Sequence, residues 1–168
     1  MSNKQNNIVI TSAVRTAIGS FKGSLKDMYA HELGSIVIKE VIKKSNLNPN
    51  DVDEVIMGQV LTAASGQNPA RQAAIKAGLP AEKTAYIINQ VCGSGLRSVA
   101  SAYQSILSGD SNIVVAGGQE SMSNAPHAVH IHKGKNLDEK NLIDTMVHDG
   151  LWDAFNGYHM GTTAENVA

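Results

Sequence analysis

Residues 89–100 read N-Q-V-C-G-S-G-L-R-S-V-A and hold Cys92, the only cysteine of the chain. The apolar, β-leaning run from Thr84 to Ile88 leads into this stretch, and Gly93 and Gly95 follow the cysteine at once. Beyond them Leu96, Val99, Ala100, Tyr103 and Leu107 fall at helical spacing. The pattern places Cys92 where a strand turns sharply into the start of a helix. A helix N-terminus carries partial positive charge and unpaired N–H groups. Both favour the thiolate, which is the nucleophilic form of cysteine. The glycines let the backbone turn tightly and let a substrate come close. The N–H groups here, that of Cys92 included, are placed to meet a developing oxyanion. The layout echoes the strand-to-helix elbow that presents the nucleophile of the α/β-hydrolases. The competing reading is a buried, inert thiol packed as a small hydrophobe, the common fate of free cysteine.

Working outward, residues 8–11 (I-V-I-T) read as a short buried strand and Arg15 to Leu25 as a Gly- and Ser-punctuated loop. The glycines of that loop fit neither a dinucleotide fingerprint nor a P-loop. His31 to Asn46 reads as a helix, with Leu33, Ile36, Val37 and Val41 on one face and lysines late, where the dipole welcomes them. Val55 to Leu61 is the next strand. Pro69 opens a short alanine-rich helix over Ala70 to Ala77, stopped by Gly78 and Pro80. Arg71 on that helix either pairs with a buried carboxylate or stands in solvent. Thr84 to Gln90 is a strand, the Cys92 helix runs to Ser108, and Asn112 to Ala116 is a buried strand. Strand–helix alternation of this kind predicts an α/β protein, with a parallel or mixed sheet covered by helices on both faces.

From Ser121 the texture changes to loop, with a helix expected over Leu142 to Leu151 and another beginning near Gly161. His127, His130 and His132 form an H-x-x-H-x-H pattern, but no cysteine or ordered carboxylate completes a zinc or copper site, so no metal is expected. Trp152 to Gly161 reads W-D-A-F-N-G-Y-H-M-G. On residue type alone His159 is a satisfied, half-buried histidine and Met160 a core filler.

Composition bounds the class. The 168 residues are 42% hydrophobic and 17% charged, enough for one globular domain with a proper core. Lys and Arg number 14 against 15 Asp and Glu, which gives no electrostatic case for nucleic acid or an anionic membrane surface. One cysteine excludes an internal disulfide and fits a reducing, cytoplasmic setting. The opening M-S-N-K-Q-N-N has neither the apolar core of a signal peptide nor the arginines of a transit peptide.

Residues 89–100 closely resemble the nucleophile motif of the thiolases, in particular the biosynthetic acetyl-CoA acetyltransferases. Four further stretches resemble the same family in its order: V-I-T-S-A-V-R-T-A-I-G-S-F-K-G (9–23), G-Q-N-P-A-R-Q-A-A (66–74), A-G-G-Q-E-S-M-S-N-A-P-H (116–127) and N-G-Y-H-M-G-T-T-A-E-N (156–166). The resemblance implies a thiolase-like layered α/β/α fold: the first part of an N-terminal domain over 1–120 and an incomplete loop domain over 121–168. It implies that Cys92 takes an acyl group from acetyl-CoA, and that Leu151, His159 and Met160 line the site for coenzyme A and the short acyl chain. It gives Gly93 and Gly95 to the turn and oxyanion site, and Glu120 a supporting role through hydrogen bonds. No cofactor is implied, coenzyme A being part of the substrate. A homo-oligomer, a dimer of dimers, is implied, with the Ala70–Ala77 region near the partner subunit and the loop after Ser121 assembling tetramers.

The resemblance also implies parts that these residues lack: the activating histidine, the second cysteine that moves the α-proton, and the asparagine-held water of one oxyanion hole. The chain therefore reads as a truncated or divided thiolase. Two alternatives follow, a degradative 3-ketoacyl-CoA thiolase or ketoacyl synthase, and a non-catalytic thiolase-like piece that dimerises or binds a partner.

Overall fold

Three five-residue strands, the middle one with its Val55, Ile56 and Met57 side chains fully buried, build the sheet that positions Cys92. The computed structural model describes residues 7–168, so the opening segment read as free of a leader lies almost wholly outside the described residues. Strands β1 (Glu54–Gly58), β2 (Thr84–Ile88) and β3 (Val114–Gly118) form one parallel sheet in the order β2-β1-β3. Glu54 lies opposite Thr84 on one side and Val114 on the other, so the three C-terminal ends are flush. β3 begins two residues later than its apolar run suggests. The N–H groups of Asn112 and Ile113 donate to the Asp53 carboxylate at 2.8 and 3.1 Å instead of to a strand.

Helices α1 (Ala30–Lys44) and α2 (Pro69–Ala77) cover one face of the sheet. α2 starts where expected: Pro69 holds the first position, Asn68 Oδ1 accepts from Arg71 N–H at 3.1 Å, and Gly78 at φ 100° ends it. Ala70, Ala73 and Ala74 bring α1 and α2 close, and Ile38, Ile42, Val52, Val55 and Met57 fill the space between helices and sheet. Each such aliphatic side chain contributes about 1.5–3 kcal/mol by leaving water. The Arg71 guanidinium satisfies neither sequence reading: it donates to the carbonyls of Ala81 and Lys83, and so pins the loop that feeds β2.

Helix α3 (Ser94–Ser108) covers the other face, but not with its apolar side. The side chains buried against the sheet are Ser94, Ser98 and Ala102, one per turn. Leu96, Tyr103 and Leu107 point outward, 78%, 52% and 66% exposed. Small residues win the inner face because the backbones touch. A Cβ on Gly58 would meet Ser94 C, and would lie 2.6 Å from Gly95 N and 2.7 Å from Ser94 Cβ.

Residues 8–11 are not a strand. Val9 and Ile10 are exposed, and residues 8–11 share with α1, α3 and β3 the lining of a cavity of about 320 Å³. Their β-branched sequence favours extension, but a strand also needs a hydrogen-bonded neighbour.

Residues 121–168 build small elements of their own. Ser121 Oγ and Asn124 Nδ2 donate to Met28 O at 2.8 and 3.0 Å, tying them to the loop before α1. β4 (His127–Ala128) pairs antiparallel with β5 (Ile143–Asp144), and β6 (Trp152–Asp153) with β7 (Tyr158–His159). The helix expected over Leu142–Leu151 is shortened by β5, and Val147–Leu151 winds as a π-turn. α4 (Met160–Val167) closes the described chain. Among the described residues no helix is long and apolar enough to cross a membrane.

Candidate active site

Cys92 stands between the C-terminal end of β2 and the first turn of α3, and its thiol is free and exposed. That excludes a thiol packed away as a core side chain. The sharp turn is made by a residue whose type carries no turn signal. Val91 has φ 48°, in the left-handed region, whereas Gly93 has φ −82° and ordinary helical geometry. A β-branched residue with positive φ is a strained outlier, and such strain concentrates at functional sites.

Hydrogen bonds hold the strained residue on all sides. Asn89 Oδ1 accepts from Val91 N–H at 3.0 Å. Ser94 Oγ donates to Val91 O at 2.6 Å and accepts from Gln90 N–H at 2.8 Å. The N–H groups of Gly93 and Ser94 donate to Gln90 O and Val91 O at 3.0 and 3.1 Å. The Gly93 N–H is thus occupied inside the turn. Gly95 lies one residue into α3, and a Cβ there would meet no atom within 4 Å, so its contribution is an open approach to the helix start.

The loop after β1 is fastened beneath the elbow. Gln59 N–H donates to Ile88 O, joining the ends of β1 and β2. Gln119 Nε2 donates to Gln59 Oε1 and Gln59 Nε2 donates to Leu61 O, each at 2.8 Å. The Glu120 carboxylate accepts from the N–H groups of Val60 and Leu61 at 2.8 and 3.2 Å. Burial pushes the Glu120 carboxyl above its ordinary range, and the backbone donors of Val60 and Leu61 only partly offset it. Glu120 therefore clamps the loop after β1, and Gln59 and Gln119 join it at the strand ends.

His159, Met160 and Leu151 lie together in residues 147–168, on a different unit from Cys92. His159 Nδ1 accepts from Gly161 N–H at 3.0 Å and caps α4. In the neutral ring this places the proton on Nε2, leaving that nitrogen as a donor. Met160 opens α4 and Leu151 ends the π-turn. Where this unit meets the clamped loop, a Cβ on Gly150 would lie 3.4 Å from Leu61 Cδ2. Among the described residues no group of three or more His, Cys, Asp or Glu could hold a metal ion.

An exposed thiol, on a strained strand-to-helix turn at the C-terminal end of a parallel sheet, defines a nucleophile-elbow α/β protein. The family model for the thiolase N-terminal domain matches residues 8–168, and the chain belongs to the thiolase family. An acetyl-CoA acetyltransferase of Paracoccus denitrificans is 64% identical over 95% of this chain, and one of Rhizobium meliloti 60% identical over 96%. The crystal structure of Acat5 thiolase from Ascaris suum, in complex with coenzyme A, superposes with a TM-score of 0.85. It is 40% identical and covers 92% of this chain. The chain spans 41% of the length of the two bacterial relatives and 40% of the Ascaris chain.

Proposed function

We propose that this chain carries the nucleophile half of an acetyl-CoA C-acetyltransferase. The observation that carries the reading is the free, exposed Cys92 on its strained elbow, in a chain of the thiolase family. The Cys92 thiolate attacks the thioester carbonyl of acetyl-CoA. The tetrahedral adduct collapses to acetyl-Cys92, and coenzyme A leaves as a thiolate that takes up a proton. A second acetyl-CoA, deprotonated at its α-carbon, then attacks the new thioester. Acetoacetyl-CoA forms and Cys92 is released; thiolysis is the reverse. A thioester serves both steps because thiolate is at once a good nucleophile and a good leaving group. Two half-reactions through one covalent intermediate give ping-pong kinetics.

In this reading Leu151, His159 and Met160 face the pantetheine arm and the short acyl chain, with His159 Nε2–H as donor to a carbonyl. The names of the relatives support an acetyl-CoA acetyltransferase over a degradative thiolase. The Ascaris thiolase, solved with coenzyme A, supports coenzyme A as the ligand. We extend the reading to a cytoplasmic homotetramer serving fatty acid metabolism, which family membership supports and light scattering and cell fractionation test. No resident cofactor enters the scheme.

The deciding experiment is an intact-mass spectrum after brief incubation with acetyl-CoA, beside a Cys92→Ala control. One Cys92-dependent acetyl group supports the first half-reaction. No adduct on a folded chain removes catalysis from these residues and leaves a thiolase-like binding piece.

A further inference from the structure

We infer that Ser94 is a positioning residue for Cys92: its hydroxyl is the clasp that holds Val91 in the left-handed conformation and thereby aims the thiol. This rests on Cys92 being the nucleophile. Ser94 is 4% exposed, and its Oγ makes both available kinds of hydrogen bond, donating to Val91 O at 2.6 Å and accepting from Gln90 N–H at 2.8 Å. These two partners flank the peptide that enters Val91, at φ 48°. Without the hydroxyl, the Val91 carbonyl keeps only the Ser94 N–H, and the Gln90 N–H loses its protein acceptor. Nothing else in the turn reaches both sides of the strained residue. Asn89 holds only the Val91 N–H, and the Gly93 N–H bonds Gln90 O, one residue back.

The hydroxyl is in turn fixed from below. Ser94 Cβ sits so close to β1 that a Cβ on Gly58 would fall 2.7 Å from it, so the serine is seated against the sheet while α3 rests on β1. The chain of constraint runs from the sheet through Gly58 to Ser94, from its hydroxyl to Val91, and from Val91 to the adjacent Cys92. A small side chain with one donor and one acceptor is required, which serine provides and alanine does not.

The test compares Ser94→Ala in the natural chain with the same change in a Val91→Gly background. Glycine takes positive φ without strain, so it removes the need for the clasp. Two rates are read: alkylation of Cys92 by iodoacetamide near neutral pH, and saturation of acetylation by acetyl-CoA. With Val91 present, Ser94→Ala slows alkylation about fivefold, the factor carried by one ordinary hydrogen bond. It lowers the limiting acetylation rate by a like factor at an unchanged half-saturating acetyl-CoA concentration. In the Val91→Gly background the same change costs less than about twofold, because no strained residue remains to be held.

Equal losses in the two backgrounds, or no loss in either, overturn the proposal. So does a Ser94→Ala chain that fails to fold even with Gly at 91, which would make the serine purely structural. A chain that folds only with Gly at 91 supports the coupling. If the unaltered chain alkylates but never acetylates, the acetyltransferase reading fails while the alkylation arm still judges Ser94.

Discussion

Replacing Gly58 by alanine tests how α3 is seated, and through it the placing of Cys92. The added Cβ would meet Ser94 C, and would lie 2.6 Å from Gly95 N and 2.7 Å from Ser94 Cβ. Comfortable carbon contacts begin at about 3.5 Å, so relieving the closest of these contacts lifts the first turn of α3 by about 1 Å or sinks β1. Two of the three obstructing atoms are backbone and cannot rotate aside. Overpacking of this kind costs about 1–3 kcal/mol, and the upper half of that range is expected. For a chain of this size that lowers Tm by about 4–12 °C. A displacement near 1 Å at a reacting atom slows chemistry by up to about a hundredfold. Thermal unfolding by circular dichroism and the rate of Cys92 alkylation measure the two effects. Gly118→Ala, whose Cβ would find Gly58 O at 3.4 Å and Gly95 Cα at 3.5 Å, should cost far less. Gly95→Ala meets nothing within 4 Å and should gain about 0.5–1 kcal/mol from helix propensity. If Gly58→Ala melts within a degree or so of the unaltered chain and alkylates at the same rate, the close seating of α3 on β1 is wrong.

Further outcomes follow from the clamps around the site. Glu120→Gln leaves the Val60 or the Leu61 N–H facing an amide NH₂ and should destabilise by about 1–3 kcal/mol near neutral pH. Because burial raises the Glu120 carboxyl, the folded state binds its proton more tightly, so this group adds stability as pH falls through its folded value. Urea midpoints across pH should show that gain in the unaltered chain and not in Glu120→Gln. Asp53 has the opposite sign: the N–H groups of Asn112 and Ile113 hold its carboxyl below the usual range. Its contribution is present above the unfolded value and disappears as pH falls through the folded one. Asp53→Asn should therefore cost about 1 kcal/mol near neutrality, after discounting for solvent, with the gap from the unaltered chain closing in acid. Arg71→Lys loses the fork that spans the carbonyls of Ala81 and Lys83 and should lower the urea midpoint by the equivalent of about 1–2 kcal/mol.

The sequence made the alternation of strands and helices legible because apolar runs, Pro69, Gly78 and Gly109 punctuate it at physically meaningful places. It made Cys92 legible because a lone thiol between a β-run and a helical run stands out. It did not disclose which face of α3 meets the sheet. Periodicity marks the large apolar side chains, but the inner face is chosen by how closely backbones approach, so Ser94, Ser98 and Ala102 went inward. Nor did it disclose that the strained residue is Val91. The adjacent glycines draw the eye, and a valine bears positive φ because local side-chain bonds from Ser94 and Asn89, which periodicity does not register, hold it there. Ser94 did leave a trace, since serine is among the residues favoured at helix starts. Residues 8–11 misled because composition predicts extension but says nothing of a pairing partner.

The unpaired margin of β3 has a consequence for anyone who purifies this chain. A row of free N–H and C=O groups lies next to residues 8–11, with Val9 and Ile10 largely uncovered. Bare strand margins flanked by oily side chains template the addition of other chains. Preparations should grow turbid as they are concentrated, and Ile10→Lys should delay the cloudiness without moving the alkylation rate of Cys92. Colloidal behaviour, more than thermal stability, would then set the working concentration of this polypeptide.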